Sequence, residues 1–246
     1  MKLFILSFCS LLIFYFSTEI KNKAEFNGLA TAVDHSQWNL LLKKYVDDQG
    51  DVNYKAFKKD EKALDAYLKT LAENELSETS SKSEKLAYFI NLYNAATIKL
   101  ILKNYPIKSI KDIKKPWDQE WIKVGAKIYS LGDIEHKILR KMNEPRIHFA
   151  INCASYSCPK LSNKAFLSAT LETQLQNASI DFINDPKRNI ISADAIEISM
   201  IFKWFKSDFI EKGSLANYLQ TFSKTKFNEN VKISFMNYDW RLNETE

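Results

Sequence analysis

The chain has 246 residues, 46% hydrophobic and 13% aromatic, enough for a sizeable core, and only 5 Gly and 5 Pro, which argues against flexible linkers and low-complexity structure. Its net charge of +5 is spread over Lys residues mixed among Asp and Glu, whereas nucleic-acid binding needs a concentrated basic face. Loss of Lys2 with an export segment would leave +4.

Residues 1–18 read as a signal peptide. Lys2 precedes the apolar run LFILSFCSLLIFYF, Leu3 to Phe16, which has the length of an h-region and is short for a membrane span. Phe16-Ser17-Thr18 is a weak cleavage motif, so an uncleaved N-terminal anchor is the alternative. No later stretch is apolar and long enough to span a membrane, and the expected location is secreted or periplasmic. Residues 19–33 read as a lead-in and 34–246 as a single domain.

Asp34 or Ser36 caps a helix with Trp38, Leu41, Leu42 and Tyr45 on its apolar side, and Asp48-Gln49-Gly50 ends it. Val52 to Tyr54 is short and extended. Phe57, Leu64, Tyr67, Leu68 and Leu71 then mark a second amphipathic helix, and Ser77 to Ser83 is a polar loop. Glu84 to Asn104 is apolar nearly all round and should be a central buried helix ended by Pro106. Within it Asn91, Asn94 and Thr97 share a face, where they either bridge neighbouring backbone or line a pocket.

Glu120 to Val124 and Lys127 to Leu131 predict a hairpin around Gly125-Ala126. Ser130, with Asp133 three residues on, starts a helix that carries Glu135, His136 and Arg140. Arg146 to Cys153 predicts a buried strand, with His148, Ala150 and Asn152 on one face, and a loop runs on to Leu161. Beyond it come a helix from about Ser168 to Ile183, a hairpin of Asn189–Ser192 with Ala195–Ser199, and helical turns from Ile201 to Phe209. A helix from Ser214 to Phe222 and a last strand from Val231 to Tyr238 close the chain. The predicted class is α+β: one globular domain, helices packed on a small, mainly antiparallel sheet and hairpins, without regular βαβ alternation.

Several segments carry a resemblance in the same order along the chain. They are Phe89-Ile-Asn-Leu-Tyr-Asn-Ala95, Tyr105-Pro-Ile-Lys-Ser-Ile110, Leu131-Gly-Asp-Ile-Glu-His136 and Arg146-Ile-His-Phe-Ala-Ile-Asn-Cys153, which continues to Ser157-Cys-Pro159. Ile201-Phe-Lys-Trp204 and Tyr238-Asp-Trp240 complete the set. The sequence resembles the family catalogued as domain of unknown function 547, most specifically over residues 84–210. Phe89 stands where the family pattern has Trp, at a packing position. The resemblance implies a domain identity and a motif set but no reaction. Related chains that join this domain to leucine-zipper, redox or signalling segments point towards partner binding.

The residues that can carry chemistry gather around His136, His148, Cys153 and Cys158. One arrangement is a thiol nucleophile, Cys153, with His148 or His136 as base and Asn91 or Asn94 as orienting amides, suited to acyl transfer on an amide or thioester. In a continuous strand His148 and Cys153, five apart, would face opposite sides. A second arrangement is a zinc site of His136, His148, Cys153 and Cys158, though the spacing matches no standard knuckle. In the third, Cys153 and Cys158 form a disulfide in an oxidising compartment or stay as buried thiols, His148 and His136 satisfy backbone carbonyls, and the domain has a binding or structural role with an unidentified protein or small-molecule ligand. Asn152, Ser155, Glu135 and Arg140 are candidate ligand contacts, and Trp117, Trp121, Trp204 and Trp240 line a groove or fill the core. No phosphate-binding glycine loop, dinucleotide fingerprint or metalloprotease helix occurs, so no cofactor is expected.

Overall fold

A helix buried almost all round packs against an amphipathic helix before it and helical turns after it. The structure, a computed structural model, describes residues 33–245. The expected signal peptide and nearly all of the lead-in lie outside the described residues. Helix α1 (Ser36–Tyr45) buries Trp38, Leu41, Leu42 and Tyr45, one apolar face at helical spacing. Val46 then turns extended, and Asp47 Oδ1 accepts from the amides of Gln49 and Asp51 to close a tight turn. Gly50 in that turn has φ +83°, and a Cβ there would lie 2.7 Å from the backbone of Lys160 and Leu161. The expected second helix is divided into α2 (Tyr54–Phe57), a 3₁₀ turn, and α3 (Glu61–Glu73).

Helix α4 (Lys82–Asn104) starts in a capping box. Ser81 Oγ accepts from the Glu84 amide, and the Glu84 carboxylate accepts from the Ser81 amide. Fifteen of its residues are buried, so its stability comes from packing on every side. Strands β1 (Ile122–Val124) and β2 (Lys127–Tyr129) form the predicted antiparallel hairpin. Ser130 and Asp133 cap each other as expected, and the chain then makes a π-helical turn, Asp133–Ile138, and a 3₁₀ turn, Leu139–Met142.

The predicted buried strand over Arg146 to Cys153 does not form. Pro145–Phe149 is a 3₁₀ turn, capped by Glu144 with Pro145 leading it, and Ala150–Cys153 is irregular. The cause is visible on α4. Asn94 Nδ2 donates to Ala150 O at 2.9 Å and Asn94 Oδ1 accepts from Asn152 N at 2.9 Å, so one amide side chain supplies bonds a neighbouring strand would otherwise make.

Helix α5 (Leu171–Ile183) precedes β3 (Ile190–Ile191) and β4 (Ala195–Ile198), which pair antiparallel. Helical turns α6 (Ile201–Trp204) and α7 (Lys206–Phe209) and helix α8 (Leu215–Phe222) follow. Strand β5 (Lys232–Phe235) returns parallel to β4, giving the order β3-β4-β5. The described residues thus form an α+β domain of eight α-helical segments and two small, mainly antiparallel sheets. Two hydrophobic clusters fill it. One surrounds α1, α3 and α4; the other, rich in Phe, joins Phe149 to α5, β4 and α6 to α8. No helix among the described residues is long and apolar enough to cross a membrane.

Candidate functional site

A cavity of about 230 Å³ opens at the seam between the two clusters. Tyr93 and Trp117 belong to the packing of the first cluster, Phe205 and Tyr238 to that of the second. The π-helical turn brings adjacent residues Glu135 and His136 to the wall, and the turn and loop from 145 to 159 bring His148, Ile151, Cys153, Cys158 and Pro159. Ile201, Trp204 and Trp240 complete the lining. Trp204 stacks on Trp240 with centroids 5.7 Å apart, and Tyr238 lies 4.5 Å from Trp240. Trp204 remains 44% exposed, so the cavity is an aromatic slot that reaches solvent beside Trp204. Trp121, the other tryptophan considered for a groove, lies elsewhere.

Glu135 is the acidic group in this lining. Burial pushes its carboxyl up to about 7, and the Tyr93 hydroxyl, at 3.4 Å from Oε2, and the Arg140 charge only partly offset that. Near neutral pH it is therefore substantially a neutral carboxylic acid, able to donate a hydrogen bond into an apolar space. Its Oε1 has no hydrogen-bond partner among the described residues.

Asp208 links His148, in the wall, to Arg140 behind it. His148 Nε2 is 2.9 Å from Asp208 Oδ2, and Arg140 grips Asp208 with Nε at 2.7 Å and Nη2 at 2.8 Å. Burial pushes Asp208 up, but hydrogen bonds from Arg140, His148 and Ser207 outweigh it and hold the carboxylate well below its ordinary range. Burial also lowers His148 against the pull of Asp208, and His136, 3.4 Å from Arg140, is lowered by burial and by that guanidinium. His148 stacks on Phe205 at 4.1 Å. The ring is thus fixed at one nitrogen by a carboxylate and on one face by a phenyl group. Arg140 is spent on Asp208 and does not line the cavity.

Cys153 and Cys158 form a disulfide in the wall. In that form neither sulfur is a thiolate, so neither serves as a nucleophile, and the four-residue zinc set lacks two of its donors. No group of three or more His, Cys, Asp or Glu is gathered for a metal among the described residues.

His148 and Cys153 do share one cavity. The opposition expected from strand alternation vanishes because the segment turns instead of extending. Asn91 and Asn94 do not reach it. Asn91 spans Phe166 O and N at 2.7 and 3.0 Å, and Asn94 holds the 150–152 backbone, so both amides are used as backbone bridges. Asn152 is likewise spent, donating to Pro159 O and accepting from the Ala154 amide. Ser155 is fully buried, with its hydroxyl 3.4 Å from Cys153 Sγ. Sequence reasoning did not single out Asp208, Tyr93 or Phe205. Asp208 lies in an ordinary polar stretch, Lys206-Ser-Asp208, and only the tertiary contact with His148 and Arg140 marks it.

The family model described as "Protein of unknown function, DUF547" matches residues 76–183. It includes the walls built from Tyr93 to Pro159 and leaves out Ile201, Trp204, Phe205, Tyr238 and Trp240. No curated protein and no solved structure matches the chain.

Proposed function

Taking as premise that residues 76–183 belong to the DUF547 family, we propose that this domain binds a small, largely planar neutral molecule in the aromatic slot, with the Glu135 carboxylic acid donating to a carbonyl-type acceptor on it. The observation that carries this reading is the buried, raised Glu135 with a free oxygen among tryptophan and tyrosine rings. The volume supports a ligand of one or two rings, since cavities of about 150 Å³ already hold benzene. The apolar run Leu3 to Phe16 supports an exported protein, and the disulfide suits an oxidising compartment.

Benzamide and 2-naphthamide are suitable probes, read by quenching of the slot tryptophans. Binding should saturate near pH 6.5 and weaken by about tenfold towards pH 8.5 as Glu135 ionises. Both imidazoles are held below their ordinary value, so they stay largely uncharged through that window. In Glu135→Gln the amide still donates and the pH dependence should vanish. Binding by wild type that is flat with pH, or a pH dependence that persists in Glu135→Gln, would sink the proposal.

A second reading, acyl transfer by a Cys153 thiolate with His148 or His136 as base, is favoured by the Asp208-oriented imidazole on the same cavity. It requires the disulfide to open first.

A further inference from the structure

The two sulfurs of the Cys153–Cys158 pair have different surroundings. Cys158 is 3% exposed, whereas Cys153 is only partly buried, and both border the cavity. Two donors point at Cys158 Sγ: the Cys153 amide at 3.1 Å and the Tyr238 hydroxyl at 3.2 Å. A disulfide sulfur is a weak acceptor, whereas a thiolate is a strong one, so this arrangement favours charge that arrives on Cys158 when the bond opens. Cys153 Sγ is 3.4 Å from Ser155 Oγ and 3.5 Å from Tyr238 Oη.

The loop that carries the pair is held by other bonds. Cys158 N donates to Ser155 O at 3.0 Å and Asn152 Nδ2 to Pro159 O at 2.8 Å. Tyr156 N donates to Arg241 O at 2.7 Å, and buried Arg188 donates to Cys158 O at 2.7 Å. A disulfide across five positions restrains the unfolded chain less than a long-range one does. The loop therefore keeps its shape whether the sulfurs are joined or not, and both sulfurs face the space where a small molecule enters.

We propose that Cys153–Cys158 is a thiol–disulfide exchange site that acts on small thiols admitted to the cavity, a chemistry that rests on the cavity being the binding slot described above. A substrate thiolate attacks Cys153 Sγ and forms a new S–S bond. The Cys153–Cys158 bond breaks, and its electron pair leaves on Cys158 Sγ, held by the Cys153 N–H and the Tyr238 O–H. A second substrate thiolate then attacks the substrate sulfur of the mixed disulfide and expels the Cys153 thiolate. The two protons lost by the substrate thiols end on Cys153 and Cys158. Two thiols become one disulfide, and the protein disulfide becomes a dithiol; a small disulfide running the steps backward restores the start.

2-Mercaptoethanol, a small uncharged thiol that the cavity can admit, serves as the probe, with the full chain in its disulfide form. After brief exposure and acid quenching, mass mapping should find the hydroxyethylthio adduct on Cys153 and not on Cys158. Cys158→Ser, reacted with the symmetrical disulfide of 2-mercaptoethanol, should accumulate that adduct. Tyr238→Phe, which keeps the ring and loses one donor, should open the disulfide about tenfold more slowly, because a higher leaving-group pKa slows departure. An adduct on Cys158, or a Tyr238→Phe rate equal to wild type, overturns the assignment. If Cys158→Ser does not fold, the wild-type mapping and the Tyr238→Phe rate still decide. Amide-probe binding with no exchange defeats this inference alone, whereas exchange without amide binding defeats only the binding reading.

Discussion

At Glu135 a single burial decides both chemistry and stability. The folded carboxyl is raised from 4.5 to about 7, so the native state binds more protons than the unfolded chain between those values. The stability tied to that proton is fully present below about 4.5 and is lost as pH rises through about 7. The difference corresponds to roughly 3 kcal/mol, at about 1.4 kcal/mol per pKa unit. Glu135→Gln, which cannot ionise, should gain on wild type by that order between pH 4.5 and 8 in urea titrations. A stability difference between the two proteins that stays constant over this range would show that the carboxylate finds solvent or a cation. Asp208 presents the opposite case: two donors from Arg140, one from His148 and one from Ser207 keep it charged, so two carboxyls that feel each other's charge are shifted in opposite directions.

At the scale of the element, α4 acts as a frame for irregular backbone. Its apolar positions pack both sides of the domain, and its two buried asparagines replace sheet bonds for segments with no strand neighbour. Asn94→Ala would leave Ala150 O and Asn152 N buried without partners, a cost of roughly 2–4 kcal/mol for two such groups. Because His148, Ile151 and Cys153 of this segment line the slot, the same change should weaken amide-probe binding. A loss of under about 1 kcal/mol by chemical denaturation would mean that the segment holds its turn without α4. The periodicity that identified α4 also hid this role, since an amide every three residues suits a pocket-facing stripe as well as it suits backbone bridges.

Across the whole molecule, the C-terminal tail ties distant segments together and supplies two walls of the site. Asn243 accepts from Tyr54 Oη at 2.8 Å and donates to Gly50 O at 2.9 Å, while its own amide donates to Ala154 O. Leu242 and Arg241 pair with Lys108–Ser109 and with Ser155–Tyr156, so Tyr238 and Trp240 are delivered to the cavity by a strap bonded to segments between Gly50 and Tyr156. Asn243→Ala removes both side-chain bonds at a buried position and should cost roughly 2–4 kcal/mol. It should also raise the exposure of Trp240, seen as a red shift in fluorescence. Wild-type stability together with an unshifted spectrum would mean that the strap is held by its backbone bonds alone.

Sequence alone determined most of the local structure. The apolar periodicity of α1, α4 and α5, the Ser130 cap and the Gly125 hairpin all depend on residues a few positions apart, where side-chain direction follows directly from chain geometry. It also placed Glu135, His136, His148, Cys153 and Cys158 among the residues to watch, and all five border one cavity. Tertiary structure decided the rest. Whether residues 146–153 extend or turn was set by Asn94, more than fifty positions away. Whether Glu135 keeps its proton was set by the rings that exclude water around it, and Asp208 gained its partners only through packing. Solvent exclusion and long-range hydrogen bonds are properties of the assembled interior, and no window of neighbouring residues contains them.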